Sequence, residues 1–215
     1  MTYRELNERA NSLAYKLREN EVTNNTVVGI LLERSFEMLI SMLAVLKSGG
    51  CYIPIAPDYP KDRIEYMLEN ANSNLLITNS TFDINCTNKL LLDLSIFLHG
   101  TVKETISLSN ENINNPEIYN DNNDPFCVIY TSGSTGTPKG VELKRIGIIN
   151  MLYSYKQFLY TDTCDVFLST STVAFDMFIV ENYVSLLSGK TVLLANEDQQ
   201  KVPVFMSELI SKYKA

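Results

Sequence analysis

Residues 130–140 read Tyr-Thr-Ser-Gly-Ser-Thr-Gly-Thr-Pro-Lys-Gly. The hydroxyls of Thr131, Ser132, Ser134 and Thr135 can donate to phosphate oxygens, and Lys139 adds a mobile positive charge. Gly133, Gly136 and Gly140 permit close approach of backbone to a ligand. Together these groups can cradle a polyphosphate. The loop is not a Walker A loop, which needs Gly before the Lys and Ser or Thr after it; here Pro138 precedes and Gly140 follows. Nor does it fit G-x-G-x-x-G. The alternative is a flexible Ser/Gly linker. A linker, however, has no need of Pro-Lys-Gly at its end or of the strand-like run Phe126-Cys127-Val128-Ile129 at its start.

Asp176 is the second candidate. It interrupts an apolar stretch, Val173-Ala174-Phe175-Asp176-Met177-Phe178-Ile179-Val180. A carboxylate buried there needs a partner, because an unpaired buried charge is very costly. It could also cap the helix that follows. The two roles are compatible.

The elements that must hold these residues follow from periodicity. Thr2-Tyr3-Arg4-Glu5 has the form of a capping box, and Leu6, Ala10, Leu13, Ala14 and Leu17 then recur at helical spacing. A continuous apolar run over 27–32 predicts a strand buried on both faces. A helix is expected over 35–48, ending at Gly49-Gly50, then a strand over 51–55, a helix over 61–71 and a strand over 75–78. Past the loop, a helix is expected over 146–158, a strand over 166–169, a helix over 177–187, a strand over 191–194 and a helix from 204. This alternation predicts an α/β fold with a parallel sheet in αβα layers. Between Asn110 and Asn123 seven residues are Asn, which reads as a solvated linker or long loop. The expected organisation is a first βα subdomain over 1–106, a connection over 107–125 and a second βα subdomain over 126–215.

Bulk properties narrow the function classes. A chain of 215 residues buries roughly 70% of its unfolded surface and needs no staples. The net charge of −7 disfavours a nucleic-acid binder. Cys51, Cys86, Cys127 and Cys164 form no C-x-x-C pair and read as reduced thiols of a cytoplasmic protein. A single histidine, His99, leaves no material for a multi-histidine zinc site. No run reaches the ~18 apolar residues of a membrane span, and no signal peptide is apparent.

Residues 130–141, Tyr-Thr-Ser-Gly-Ser-Thr-Gly-Thr-Pro-Lys-Gly-Val, resemble the phosphate-binding core motif of adenylate-forming enzymes, which include acyl-CoA synthetases, luciferases and the adenylation domains of nonribosomal peptide synthetases. Three further segments resemble the peptide-synthetase branch: Thr2-Tyr3-Arg4-Glu5-Leu6, Leu46-Lys47-Ser48-Gly49-Gly50-Cys51-Tyr52-Ile53-Pro54-Ile55, and Ala174-Phe175-Asp176. The resemblance runs through nearly the whole chain in family order. It implies part of the large N-terminal domain of the adenylate-forming fold. It implies attack of an amino-acid carboxylate on the α-phosphate of ATP with Mg2+, then transfer of the acyl group to the phosphopantetheine thiol of a carrier domain. By position, Thr131, Ser132, Gly133, Ser134, Thr135, Gly136 and Lys139 would hold the β and γ phosphates and the leaving pyrophosphate. Asp176 would pair with the substrate's α-ammonium. Phe175, Met177 and Val180 match positions around the amino-acid pocket, although core packing explains Met177 and Val180 nearly as well. The implied partners are the remainder of the adenylation domain, a carrier domain and an MbtH-like protein.

Two departures stand out. Arg145 occupies the place of a His that the family usually has. The family's later segments, which hold adenine and magnesium, bind ribose and supply the catalytic lysine, have no counterpart in residues 1–215. No catalytic residue is therefore assigned, and the 215 residues alone are expected to be inactive. The alternatives are a split or inactive nucleotide-binding or association module, and a relative of the acyl- or aryl-acid CoA ligases.

Overall fold

A computed structural model describes residues 1–79, 90–93, 113–132, 137–159 and 163–214. It is α/β. The first helix, α1 (Tyr3–Glu19), begins at the expected capping box: Glu5 N donates to Thr2 Oγ1 at 3.2 Å, and Thr2 N donates to Glu5 Oε2 at 2.6 Å. There follow β1 (Val27–Leu31), α2 (Phe36–Ser48), β2 (Cys51–Ile55), α3 (Lys61–Asn70), β3 (Leu75–Thr78) and β4 (Leu90–Asp93). Helix α2 stops at Gly49, whose φ of +112° is accessible to glycine but strained for other residues. Beyond these elements come β5 (Pro125–Thr131), β6 (Lys139–Lys144), α4 (Arg145–Phe158), β7 (Val166–Ser169), α5 (Asp176–Leu187), β8 (Thr191–Leu194), α6 (Glu197–Lys201) and α7 (Pro203–Tyr213).

Strands β4-β3-β1-β2-β5-β6 form one sheet in that order, parallel except for β6. Side-chain alternation sorts its residues into two cores. Val28, Ile30, Tyr52, Cys127 and Ile129 join α1, α2, α4 and α5 on one side; Leu31, Cys51, Ile53, Ile55, Val128 and Tyr130 join Ile64, Met67 and Leu68 of α3 on the other. These are the expected αβα layers. A second, two-stranded parallel sheet pairs β7 with β8.

Three features depart from the sequence expectations. Lys139–Lys144 is an antiparallel edge strand rather than a stretch of loop leading to a helix. Its side chains are mostly exposed and three of them are charged, so it carries no buried apolar signature and presents a blunted edge. Strand β4 was not expected. The connection at 107–125 also does not separate two sheets, since β5 lies beside β2 with Tyr52 opposite Cys127. Its described part is largely exposed, as expected, but pinned at points by amide side chains: Asn24 Nδ2 donates to Tyr119 O at 2.8 Å, and Asn120 Nδ2 to Gly49 O at 2.7 Å. Cys86 and His99 lie outside the described residues.

Candidate functional site

The glycine- and hydroxyl-rich segment is the turn of the β5–β6 hairpin. Thr131 and Lys139 form its last cross-strand pair, and Tyr130 lies opposite Gly140. Thr131, Ser132 and Lys139 are exposed at the C-terminal end of β5, the edge of a parallel sheet where ligands of α/β folds bind. Gly133, Ser134, Thr135 and Gly136 lie outside the described residues.

Helix α3 supports both ends of this turn. The Tyr130 hydroxyl reaches Met67 O at 3.0 Å and Asn70 Oδ1 at 2.8 Å. Burial pushes this phenol's pKa up, which keeps it a donor. The Tyr66 hydroxyl donates to Pro138 O at 3.2 Å. Gly140 meets a packing constraint: a Cβ there would meet Tyr130 Cζ and Val128 Cγ1 at 3.0 Å each.

Asp176 is the first residue of α5, and its side chain is exposed, as are those of Phe175 and Met177. This corrects the expectation of a buried carboxylate. The apolar stretch is buried at Val173-Ala174 and again from Phe178, but Phe175, Asp176 and Met177 between them face outward at the start of the helix. Nor is Asp176 the cap: Phe175 holds that position and makes no side-chain cap bond. At the first helical residue the carboxylate meets the partial positive charge of the helix start. It makes no hydrogen bond or ion pair with a described residue. Its charge is nevertheless felt on β5: burial first, then the neighbouring Cys51, and then Asp176 push the Cys127 thiol up, against a Tyr52 hydrogen bond. The helix that Asp176 begins packs on the strand that carries the loop: the Tyr183 and Phe126 rings meet edge to face with centroids 5.8 Å apart. Val180, one turn on, is 2% exposed and packs in the core.

The segment entering α5 is held by residues that sequence reading did not single out. Glu181 accepts from Thr170 N and Ser171 N, both at 2.9 Å, and from Ser171 Oγ at 2.6 Å. Arg34, in the β1–α2 connection, donates to Ala195 O at 2.7 Å, to Ser169 O at 2.6 Å and to Ser171 O. Its guanidinium stacks on Phe178 at 5.1 Å. Burial lowers the Arg34 pKa, and the charges of Glu181 and Glu197 partly restore it. The polar pair Glu181-Asn182 inside an apolar helix was the available signal for this network. Arg34 offered none, since its partners lie on the far side of the sequence. A cavity of about 390 Å³ lies beside the network, lined by Arg34, Asp58, Thr172, Glu197 and Lys201 among others. None of the predicted site residues lines it.

Arg145 is remote from the loop. It follows Lys144, which pairs with Pro125 at the other end of β5, and it donates to Gly50 O at 3.0 Å. Burial lowers its pKa. Among the described residues no group of three or more His, Cys, Asp or Glu could hold a metal ion, and no helix is long and apolar enough to cross a membrane.

Known proteins share this arrangement. Gramicidin S synthase 2 of Brevibacillus brevis is 39% identical over 211 residues, 98% of this chain and 5% of that protein. The AMPPNP-bound form of the nonribosomal peptide synthetase FmoA3 superposes with a TM-score of 0.83 at 27% identity, over 98% of this chain and 21% of that one. AB3403, a four-domain nonribosomal peptide synthetase bound to AMP and glycine, gives 0.79 at 25% identity, over 98% of this chain and 15% of that one. The chain thus spans a small part of the relatives it matches. The family described as AMP-binding enzyme matches residues 1–215 in full, and the chain belongs to that family.

Proposed function

We propose that these residues form the pyrophosphate- and ammonium-gripping part of an amino-acid adenylation domain in nonribosomal peptide synthesis. The observation that carries this reading is the β5–β6 turn. It presents Thr131, Ser132 and Lys139 at the C-terminal edge of a parallel sheet, on a strand whose Phe126 packs against Tyr183 of the helix that Asp176 begins. The nucleotide-bound synthetases of the same fold support it.

In the proposed reaction a carboxylate oxygen of the amino acid attacks the α-phosphorus of ATP. The bond from that phosphorus to the bridging oxygen breaks, giving aminoacyl-AMP and pyrophosphate. Lys139 and the hydroxyls of Thr131, Ser132, Ser134 and Thr135, with the backbone at Gly133 and Gly136, hold the β and γ phosphates and take up charge as pyrophosphate departs. Asp176 binds the α-ammonium and so orients the carboxylate; Phe175, Met177 and Val180 border the side-chain pocket. The phosphopantetheine thiol of a carrier domain then attacks the acyl carbon. The bond to the AMP oxygen breaks, a thioester forms, and the thiol proton leaves to solvent. The described residues contain no cluster suited to Mg2+, so no step here passes through it. The implied setting is cytoplasmic, with the remainder of the domain and an MbtH-like protein as partners. An acyl- or aryl-acid ligase is the second reading; a substrate without an amine would give Asp176 no group to bind.

The test uses amino-acid-dependent exchange between ATP and pyrophosphate. The 215 residues alone should show none. Joined to the rest of an adenylation domain they should show exchange, and D176A should abolish it; undiminished exchange in D176A would refute the assignment.

A further inference from the structure

Glu181 has no part in the reaction proposed above, yet four donors converge on its carboxylate. Oε2 accepts from Ser169 Oγ at 3.1 Å and from Thr170 N and Ser171 N at 2.9 Å each, and Oε1 accepts from Ser171 Oγ at 2.6 Å. A carboxylate only accepts, and so suits four donors; a carboxamide would turn its own N–H groups on some of them. Arg34 meanwhile donates to Ser169 O and Ser171 O. The backbone over 169–171 is therefore gripped twice, by a carboxylate on its N–H groups and by a guanidinium on its carbonyls.

The consequence falls on Asp176. The bonds between Ser171 and Glu181 close a ring of chain through residues 171–181, with Asp176 at its middle. One limb is a turn, in which Phe175 N donates to Thr172 O at 3.1 Å while Val173 and Ala174 are buried. The other limb is the start of α5, from Asp176 to Glu181, a rigid rod about 7.5 Å long. Phe178, Ile179 and Val180 anchor that rod in the core. Within the ring only Phe175, Asp176 and Met177 are exposed. The clamp thus presents three consecutive side chains and tucks in the rest, and those three are assigned above to the amino acid.

We propose that Glu181 is a positioning residue for amino-acid recognition. Its grip on Thr170 and Ser171 fixes where α5 begins, and so fixes the place from which Asp176 meets the substrate's α-ammonium. It touches no substrate itself. This rests on the assignment of Asp176 in the proposed function.

The test is exchange between ATP and pyrophosphate by these residues joined to the rest of an adenylation domain. The probe is the proteinogenic amino acid that wild type exchanges fastest. KM for that amino acid and for ATP are measured in wild type, E181Q and S171A, with D176A as control and urea midpoints on the same samples. E181Q should raise the amino-acid KM about tenfold and leave the ATP KM unchanged, since the phosphate-binding turn belongs to β5 and β6. S171A removes one of the four donors and should shift the amino-acid KM the same way by less. Where E181Q does not fold, S171A is judged by the same criterion. Exchange lost in D176A beside an unchanged amino-acid KM in E181Q would overturn the role of Glu181 and leave Asp176 assigned. So would a rise of both KM values alike, which loosened packing alone would give. Undiminished exchange in D176A, or none by wild type, would overturn both.

Discussion

Strands β2 and β8 are both short apolar runs in parallel pairings, yet they end in different environments. All five residues of β2 are buried, between α3 on one face and α2 with α5 on the other. In β8 none is buried, and in β7 only Ser169 is. Helix α7 likewise buries only Leu209. The difference lies in what covers each strand, not in how each is written. An apolar run reports that two faces are suited to burial, and the number of layers present decides how many are buried. The loop-bearing strand β5 belongs to the well-covered region. Asp176 stands at the exposed start of α5, whose buried residues pack in the core with β5, and Arg34 joins the two regions.

The largest expected effect is therefore on that joint. R34A leaves the carbonyls of Ser171 and Ala195 without this donor, takes one of two donors from Ser169 O, and should cost about 3 kcal/mol. Amide exchange should rise in β7 and β8 while β1 and β2 stay protected. Equal acceleration in both regions would remove the distinction.

Paired core truncations sharpen the same contrast. Ile53 is fully buried, and I53A should destabilise by about 3 kcal/mol. Leu193 is half-buried, and L193A should cost about 1 kcal/mol. Urea midpoints check both.

The thiols report the contrast chemically. Burial, with Glu142 adding and Arg145 opposing, pushes the Cys51 thiol from 9.0 up to about 12, and burial also raises Cys127. At neutral pH iodoacetamide should label half-exposed Cys164 quickly, and Cys51 and Cys127 only as the chain opens. The raised folded-state pKa favours the protonated thiol. The stability linked to Cys51 is thus complete below pH 9 and lost as pH rises toward about 12. Thermal melts across that window should show the fall.

The smallest effect concerns the loop's footing. G140A forces a Cβ against Tyr130 and Val128 and should cost about 1–2 kcal/mol. A neutral result would show that the Tyr130 ring can give way.

Much of this was legible in the sequence where local rules dominate. The Thr2–Glu5 capping box, the Gly49 stop and the helix and strand alternation follow from short-range chemistry. The run 130–140 announced itself by composition. Edge strand β6 did not, because Lys139, Glu142 and Lys144 face water and leave only Val141 and Leu143 as apolar marks. Asp176 misled for the opposite reason: its neighbours are apolar, but the first turn of α5 points outward. Arg34 and Tyr66 were silent, since each acts on a segment far away in the chain.

The central claim is that the β5–β6 turn grips a triphosphate, and calorimetric titration of the 215-residue chain with ATP tests it most directly. The account predicts saturable binding that K139A weakens about tenfold or more. No binding, or binding unchanged in K139A, would contradict it.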